Sequence, residues 1–540
     1  MSFIASSKST LIFFLLLVVI AVLPVWSVDY FINQDGSGHL YGSYLILEIF
    51  RKTPETLRFF ALNSISIPNS SGHWLLAFLL LFFNPFLTTK IIVTLTFAGF
   101  VAAAGWLRQK TAPGAEGLKT SLLFGAVLGF NWLWFLGFYN FIIGVVCLAA
   151  TVGLFFHWRE ELNPKRLLLI AGLLLIAYLS HIVSFMILSG TLFLLAVTVS
   201  REKIFKNLLG LAAAVVPVVP LAILYKSLSA GGGGFYPAWR NLDNPFSPLS
   251  WFAQIRTADP FILISRTAFP FLSDASALYA LFTPAVWIYA FVLLMLYATF
   301  YRKERSKLNA NSLLFLTLLL LSIAGAMFAP DDFGLTNGSI IRERILLCGL
   351  FFLIPLFRTE DHPKLKRIGQ LCLVVVFIFQ TAALWDYALR TDREAHLYME
   401  AARALPEGER IASVVVLEDG RRFHSLPMTQ MSSYLGIGRN VVVLDNYEAG
   451  HYLFPVVARQ AEDKQFIFDL TTSNVYTLNN PDEKFDEKLA RLDAVLSRNQ
   501  GRITTLVLWG RNPKVESTVG RWFAPTPYFE NGSVRLFHAR

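Results

Sequence analysis

The chain has 540 residues, 55% of them hydrophobic and 16% charged, with a mean hydropathy of +0.52 and a formal net charge of +10. So apolar a composition excludes an ordinary soluble enzyme, because repeated apolar runs of about 20 residues read as membrane helices. The basic residues cluster between those runs, as in cytoplasmic loops of membrane proteins, so the positive charge is no sign of nucleic-acid binding. Cys147, Cys348 and Cys372 all fall inside apolar runs, which speaks against a disulfide framework.

The N-terminus carries Lys8 and then the apolar stretch Leu11–Val25 with no small-residue cleavage site after it, and reads as an uncleaved signal anchor. Further spans are expected near 86–107, 120–137, 139–157, 167–180, 182–199, 207–227, 283–300, 311–328, 343–357 and 368–388, about eleven in all by the length rule. Alternate loops are basic, among them "RQK" at Arg108, "SREKIFK" near Arg201, "YRKERSK" near Arg302 and "HPKLKR" near Lys364. The positive-inside rule then puts the N-terminus in the cytoplasm and the C-terminal region outside.

The first outer loop, 28–85, is expected to be built of interfacial helices. After Gly38, Leu40, Tyr44 and Leu47 form an apolar stripe, Thr53-Pro54 opens a second helix, and His73–Phe83 is too short to span. Within this loop "NQDGSGHLYGSYL" sets Asp35 and His39 four residues apart. Asp35 reads either as the cap of a helix starting near Gly38 or as a general base held at the membrane surface, with His39 on the same side. His73 opens a helix after "PNSSG", where a helix N-terminus favours an anion, unless Ser70 or Ser71 simply caps it. His181, in "YLSHIVSF", falls in a tight turn between two spans, where it is either solvated or part of a site.

Charges inside the spans are nearly absent, which argues against an ion-coupled transporter. "GGGG" at 231–234 is expected to be a flexible element in another outer loop. "APDDFGLTNGSIIRERILL" then brings Asp331, Asp332, Arg342, Glu343 and Arg344 to the outer face. The two arginines suit forked bonds to a phosphate, or snorkelling to headgroups, and Asp331 and Asp332 are a weak candidate pair for a divalent cation. After Leu389 the composition turns charged. "IASVVVL" (411–417), "NVVVL" (440–444) and "ITTLVLW" (503–509) read as buried strands, with helices near 392–404, 451–464 and 482–498 and an Asn-Gly hairpin in "YFENGSVRLF". The expected domains are therefore a transmembrane part, 1–389, and a soluble C-terminal α/β part, 390–540. No Walker loop, zinc-spaced Cys/His set or nucleophile elbow is present.

Taken together, the chain resembles the GT-C superfamily of integral-membrane glycosyltransferases, and in particular uncharacterised bacterial members. The likeness rests on an acid just after the first span, here Asp35 in "NQDGSGHLYGSYL", followed by interfacial helices. Supporting stretches are "PNSSGHWLLAFLL", "GFYNFIIGV", "YLSHIVSF", "IIRERILL" and "DNYEAGHYLFP". Many members carry two adjacent acids at that place, whereas this chain has Gln34-Asp35. The resemblance implies an inverting glycosyltransferase of a bacterial inner membrane, moving a sugar from a polyprenyl-phosphate donor to a glycan, lipid or protein acceptor on the extracytoplasmic side. In it Asp35 would act as base, with His39 as its neighbour or as a ligand of the sugar. His73, His181, Arg342 and Arg344 would hold donor and phosphate, and a divalent cation is left open. The competing readings are a transporter or flippase of lipid-linked glycans, which needs a polar path through the bundle, and a non-catalytic receptor or scaffold, which needs no acid in an outer cavity.

Overall fold

The computed structural model describes residues 8–112, 117–198, 201–228, 261, 284–300, 310–330, 339–357, 363–417, 423, 425–477 and 484–540. The signal-anchor run forms α1 (Lys8–Trp26). The first loop folds into α2 (Gly36–Phe50), α3 (Pro54–Phe59), the short strand β1 (Phe60–Leu62) and α4 (Ser71–Leu80). The apolar bundle follows as α5 (Pro85–Thr111), α6 (Leu118–Gly129), α7 (Trp132–Leu136), α8 (Tyr139–Trp158), α9 (Pro164–Ser180), α10 (Ile182–Val197), α11 (Arg201–Val215) and α12 (Val219–Leu228). It continues in α13 (Pro284–Phe300), α14 (Ala310–Phe328), α15 (Ile341–Phe351) and α16 (Pro363–Ala404).

The chain is an integral membrane protein. Among the described residues five helices, α1, α5, α8, α14 and α16, are each long and apolar enough to cross a bilayer, and six if α11 and α12, bent by 51° at their junction, count as one span. The other expected spans are shorter helices. The run at 120–137 is broken at Asn131. Its side-chain amide donates to the Leu128 and Gly129 carbonyls at the end of α6, and its oxygen accepts the Trp134 N–H at the start of α7, so one residue ends one helix and begins the next. The run at 343–357 stops as α15 at Phe351, ahead of a tight turn through Pro355. The "GGGG" element lies outside the described residues.

α16 is 42 residues long and passes uninterrupted through the composition change at 389. At a rise of about 1.5 Å per residue it reaches about 60 Å, twice a hydrocarbon core, so it carries the chain from the bundle into the C-terminal region. There the strands are β2 (Arg410–Leu417), β3 (Val442–Val443), β4 (Val456–Ala458), β5 (Val475–Thr477), β6 (Thr505–Trp509), β7 (Phe529–Asn531) and β8 (Val534–His538). β2 pairs in parallel with β3, β5 and β6, and the sheet continues antiparallel through β8 and β7, which form the expected hairpin. Asn531 pairs with Val534, so the turn residues are Gly532 and Ser533 rather than the expected Asn-Gly, with Gly532 taking the positive φ of 52°. Helices Phe485–Arg498 and Pro513–Trp522 pack beside it. The helix expected at 451–464 begins only at Ala461, because residues 456–458 are spent on β4.

β4 is where the two parts of the chain lock together. It pairs antiparallel with β1, Phe60 opposite Ala458 and Leu62 opposite Val456. Around it, Gln34 Oε1 accepts the Leu426 N–H at 2.7 Å, Tyr41 Oη accepts the Val443 N–H at 3.0 Å, and Tyr387 Oη donates to the Ile32 carbonyl at 2.6 Å. The first loop and the C-terminal region therefore lie on one side of the bundle. This changes the setting of α2, which was expected to lie on the membrane interface. Gly36, Ser37, Gly38, His39, Gly42 and Ser43 are all buried, because small residues let α4 and the C-terminal region close on the helix from both sides.

Candidate active site

A cavity of about 230 Å³ opens where these parts meet, lined by Asp35 and His39 from the first loop, Asn140 and Phe141 from α8, His181, Tyr225 from α12, Arg344 from α15, and Tyr447, His451 and Phe454 from the C-terminal region. Asp35 occupies the N-cap position of α2 yet makes no capping hydrogen bond with its side chain, so the capping reading does not describe it. Its backbone is held by the Leu136 carbonyl and by the His39 N–H, which leaves the carboxylate to the cavity. Burial pushes that carboxyl up to about 6, against the opposing pull of His39.

Arg344 projects from the first turn of α15, whose preceding residue, Ile340, sits in the left-handed region at φ 62°. This is a costly conformation for a β-branched residue, and it aims the helix start at the cavity. The Arg344 guanidinium stacks on Phe138 and Phe141, with its Nη1 3.0 Å from His181 Nε2. His181 Nδ1 lies 3.2 Å from the Val183 N–H at the start of α10 and accepts from it as the N-cap. A neutral imidazole accepts at one nitrogen only, so His181 cannot take both the Arg344 and the Val183 N–H groups, and Arg344 Nε has no hydrogen-bond partner among the described residues. An anionic oxygen set against this group would satisfy it. Arg342, two residues earlier and so on another side of α15, donates from Nε to the Ala326 carbonyl and is not among the cavity's lining residues. Asp331 and Asp332 lie outside the described residues.

His73 sits just behind the wall. It and His39 both meet Glu448, a fully buried carboxylate from the 3₁₀ turn Tyr447–Gly450, with His73 Nε2 3.0 Å from Oε1 and His39 Nδ1 hydrogen-bonded to Oε1. Burial alone would raise the Glu448 carboxyl, but the His73 and His39 imidazoles hold it down at about 2. These three residues bring ligand-type atoms within 4.8 Å of one another, in the composition of a zinc set. The hydrogen bonding assigns them differently. Asn140 Oδ1 accepts the Gly72 N–H and its amide donates to the Asn69 carbonyl, so the same NH₂ faces His73 Nδ1 at 3.2 Å as a donor. His73 Nδ1 is then an acceptor and its Nε2–H points at Glu448. A metal-bound His73 would need the opposite tautomer.

Sequence reasoning singled out Asp35, His39, His181 and Arg344, which meet at the cavity, and His73, which stands behind it. It missed Glu448, Asn140 and Tyr447 as site residues. All three lie in stretches, "GFYNFIIGV" and "DNYEAGHYLFP", that carried the family resemblance without any chemistry being assigned to them.

The helical bundle, the first loop of short helices that starts at the acid of the cavity, and the C-terminal α/β region together have the fold of a solved GT-C protein, in keeping with the fold expected from the sequence. Over 99% of its length the chain superposes on 98% of ArnT from Cupriavidus metallidurans in the apo state, a GT-C glycosyltransferase, with a TM-score of 0.52 and 11% identity. The arabinofuranosyltransferase AftD from Mycobacteria aligns over 97% of this chain and 41% of its own, with a TM-score of 0.46 and 11% identity. No family model and no curated protein sequence matches the chain.

Proposed function

We propose that the chain is an inverting glycosyltransferase that takes a sugar from a polyprenyl-phosphate donor and passes it to a hydroxyl acceptor, with the cavity and residues 390–540 on the extracytoplasmic side of a bacterial inner membrane. The observation that carries this reading is the pairing, in one cavity, of a carboxylate that makes no capping bond, Asp35, with a guanidinium that has an unpartnered Nε, Arg344, beside His181. A base and a leaving-group binder must flank one reacting centre, and these two have the required chemistry. The acceptor oxygen attacks the anomeric carbon, and its proton passes to Asp35. The bond from that carbon to the phosphate oxygen breaks, and its electron pair leaves with the polyprenyl phosphate. Arg344 and His181 stabilise the departing phosphate by charge-assisted hydrogen bonds. The exposed apolar side chains of Trp74, Phe78, Phe82 and Phe83 around the end of α4 fit a lipid-facing edge for the donor chain.

The presence of Asp35 in the cavity favours this reading over a non-catalytic scaffold. The test is binding: the purified full-length chain in nanodiscs is incubated with a panel of radiolabelled polyprenyl-phosphate sugars. Retention of one of them by the wild type, with loss of retention in Arg344→Ala, is the expected result. Retention of none, or equal retention by the variant, would refute the donor site.

A further inference from the structure

His39 is the lining residue whose surroundings do most to fix its chemistry. Its Nδ1 is engaged by Glu448, and its Nε2 has no hydrogen-bond partner among the described residues, while the residue itself lines the cavity. Glu448 cannot donate, because its carboxylate is ionised and already receives the Nε2–H of His73. The proton between His39 and Glu448 therefore belongs to His39 Nδ1, and the lone pair of the neutral ring lies on Nε2. Asn140 holds the other end of the arrangement by fixing the His73 tautomer. Gly42 makes room for it, since a side chain there would run into Glu448 Oε2.

We propose that Glu448 and His39 form a carboxylate–imidazole dyad in which Glu448 is a positioning residue and His39 Nε2 is the final resting place of the proton released by the acceptor hydroxyl. This deepens the transfer reading and rests on it. Asp35 lies one helical turn before His39, its carbonyl accepting the His39 N–H at 2.9 Å, so the two side chains follow one another along the same face of α2. In the completed step the new bond joins acceptor oxygen to anomeric carbon, the phosphate takes the electron pair, and the proton moves from Asp35 to His39. An imidazolium beside a buried carboxylate is stabilised as in the Ser–His–Asp arrangement, where the acid orients the ring and does not itself take up the proton. The charged and titratable groups that face His39 are Asp35 at the start of its helix, His73 on α4, Tyr139 on α8, Arg344 on α15, and Glu448 and Tyr447 on the C-terminal turn.

The experiment reads the dyad without turnover. Full-length protein in nanodiscs is treated with diethyl pyrocarbonate at neutral pH, and carbethoxylation of the His39 peptide is followed by mass spectrometry, which reads the nucleophilicity of its unpaired Nε2. Removing the carboxylate in Glu448→Gln is expected to change that labelling rate by about threefold or more and to reduce transfer at least tenfold, with donor binding kept. Glu448→Asp, which retains the carboxylate, should restore most of the labelling rate and part of the transfer rate, which a purely structural role would not do. Should Glu448→Gln fail to fold, His39→Gln serves for turnover and Glu448→Asp for labelling. An unchanged His39 labelling rate in every folded Glu448 variant would overturn the dyad. A changed labelling rate beside a wild-type chain that binds donor but transfers no sugar would overturn the transfer reading instead.

Discussion

Asp35 stands at the start of α2 without capping it, and its carboxyl is pushed up to about 6 by burial. As a base it must be ionised, so the rate should be flat above that value and fall about tenfold per unit below it. A pH–rate profile for kcat/KM checks this, and a profile flat down to pH 4 would speak against Asp35. The same shift predicts a stability effect. The folded state holds this proton more tightly than the unfolded chain, whose value is near 3.8, so stability is greatest below 3.8, declines as pH rises to about 6, and stays lower above. Asp35→Asn removes the decline. Its melting temperature should exceed that of the wild type at pH 8 and match it at pH 4, as thermal scans at both values would record. At this scale the sequence was informative where one residue stood in a distinctive local context, as Asp35 does after the first span. It was silent on Glu448, whose partner His39 is 409 positions away and whose own neighbours are not charged ligands.

The helices and strands that frame the site carry their own predictions. α2 fits between α4 and the C-terminal region because Gly42 has no side chain, and a Cβ there would meet Glu448 Oε2 and approach His73. Gly42→Ala should therefore displace a carboxylate that two imidazoles fix, costing about 1–3 kcal/mol by overpacking. It should also lower turnover together with stability, as melting and transfer assays on one preparation would record. Most of the regular elements were legible from periodicity: β2, β6, the hairpin β7–β8 and the helix Phe485–Arg498 all fall where apolar patterning put them. Those that were not are explained by partners distant in sequence. β1 and β4 are three-residue strands that exist because each pairs with the other, and no local propensity announces them. The break of the 120–137 run was visible as Asn131, but an apolar stretch with one polar residue also suits a continuous span, and the amide's bonds to both helix ends decide it.

For the whole molecule, the union of the first loop with the C-terminal region fixes them on one side of the bundle, and the proposed function puts that side outside, as the basic loops lead one to expect. Single cysteines at exposed C-terminal positions such as Glu487 should react with a membrane-impermeant maleimide in intact cells. Protection until lysis would reverse the topology and move the cavity to the cytoplasm. The helical membrane architecture was readable from composition and apolar run length, because lipid leaves so few ways to satisfy a backbone. The cavity was not, since it is assembled from six separate parts of the chain that the fold alone brings together. The account stands or falls on Asp35, whose replacement by Asn keeps size and hydrogen-bonding capacity but cannot take a proton. Sugar transfer and donor binding are measured side by side for wild type and Asp35→Asn in the same nanodisc preparation. The prediction is transfer reduced by about 10²–10⁴ with donor binding unchanged, and transfer by the Asn variant within a few-fold of wild type would contradict it.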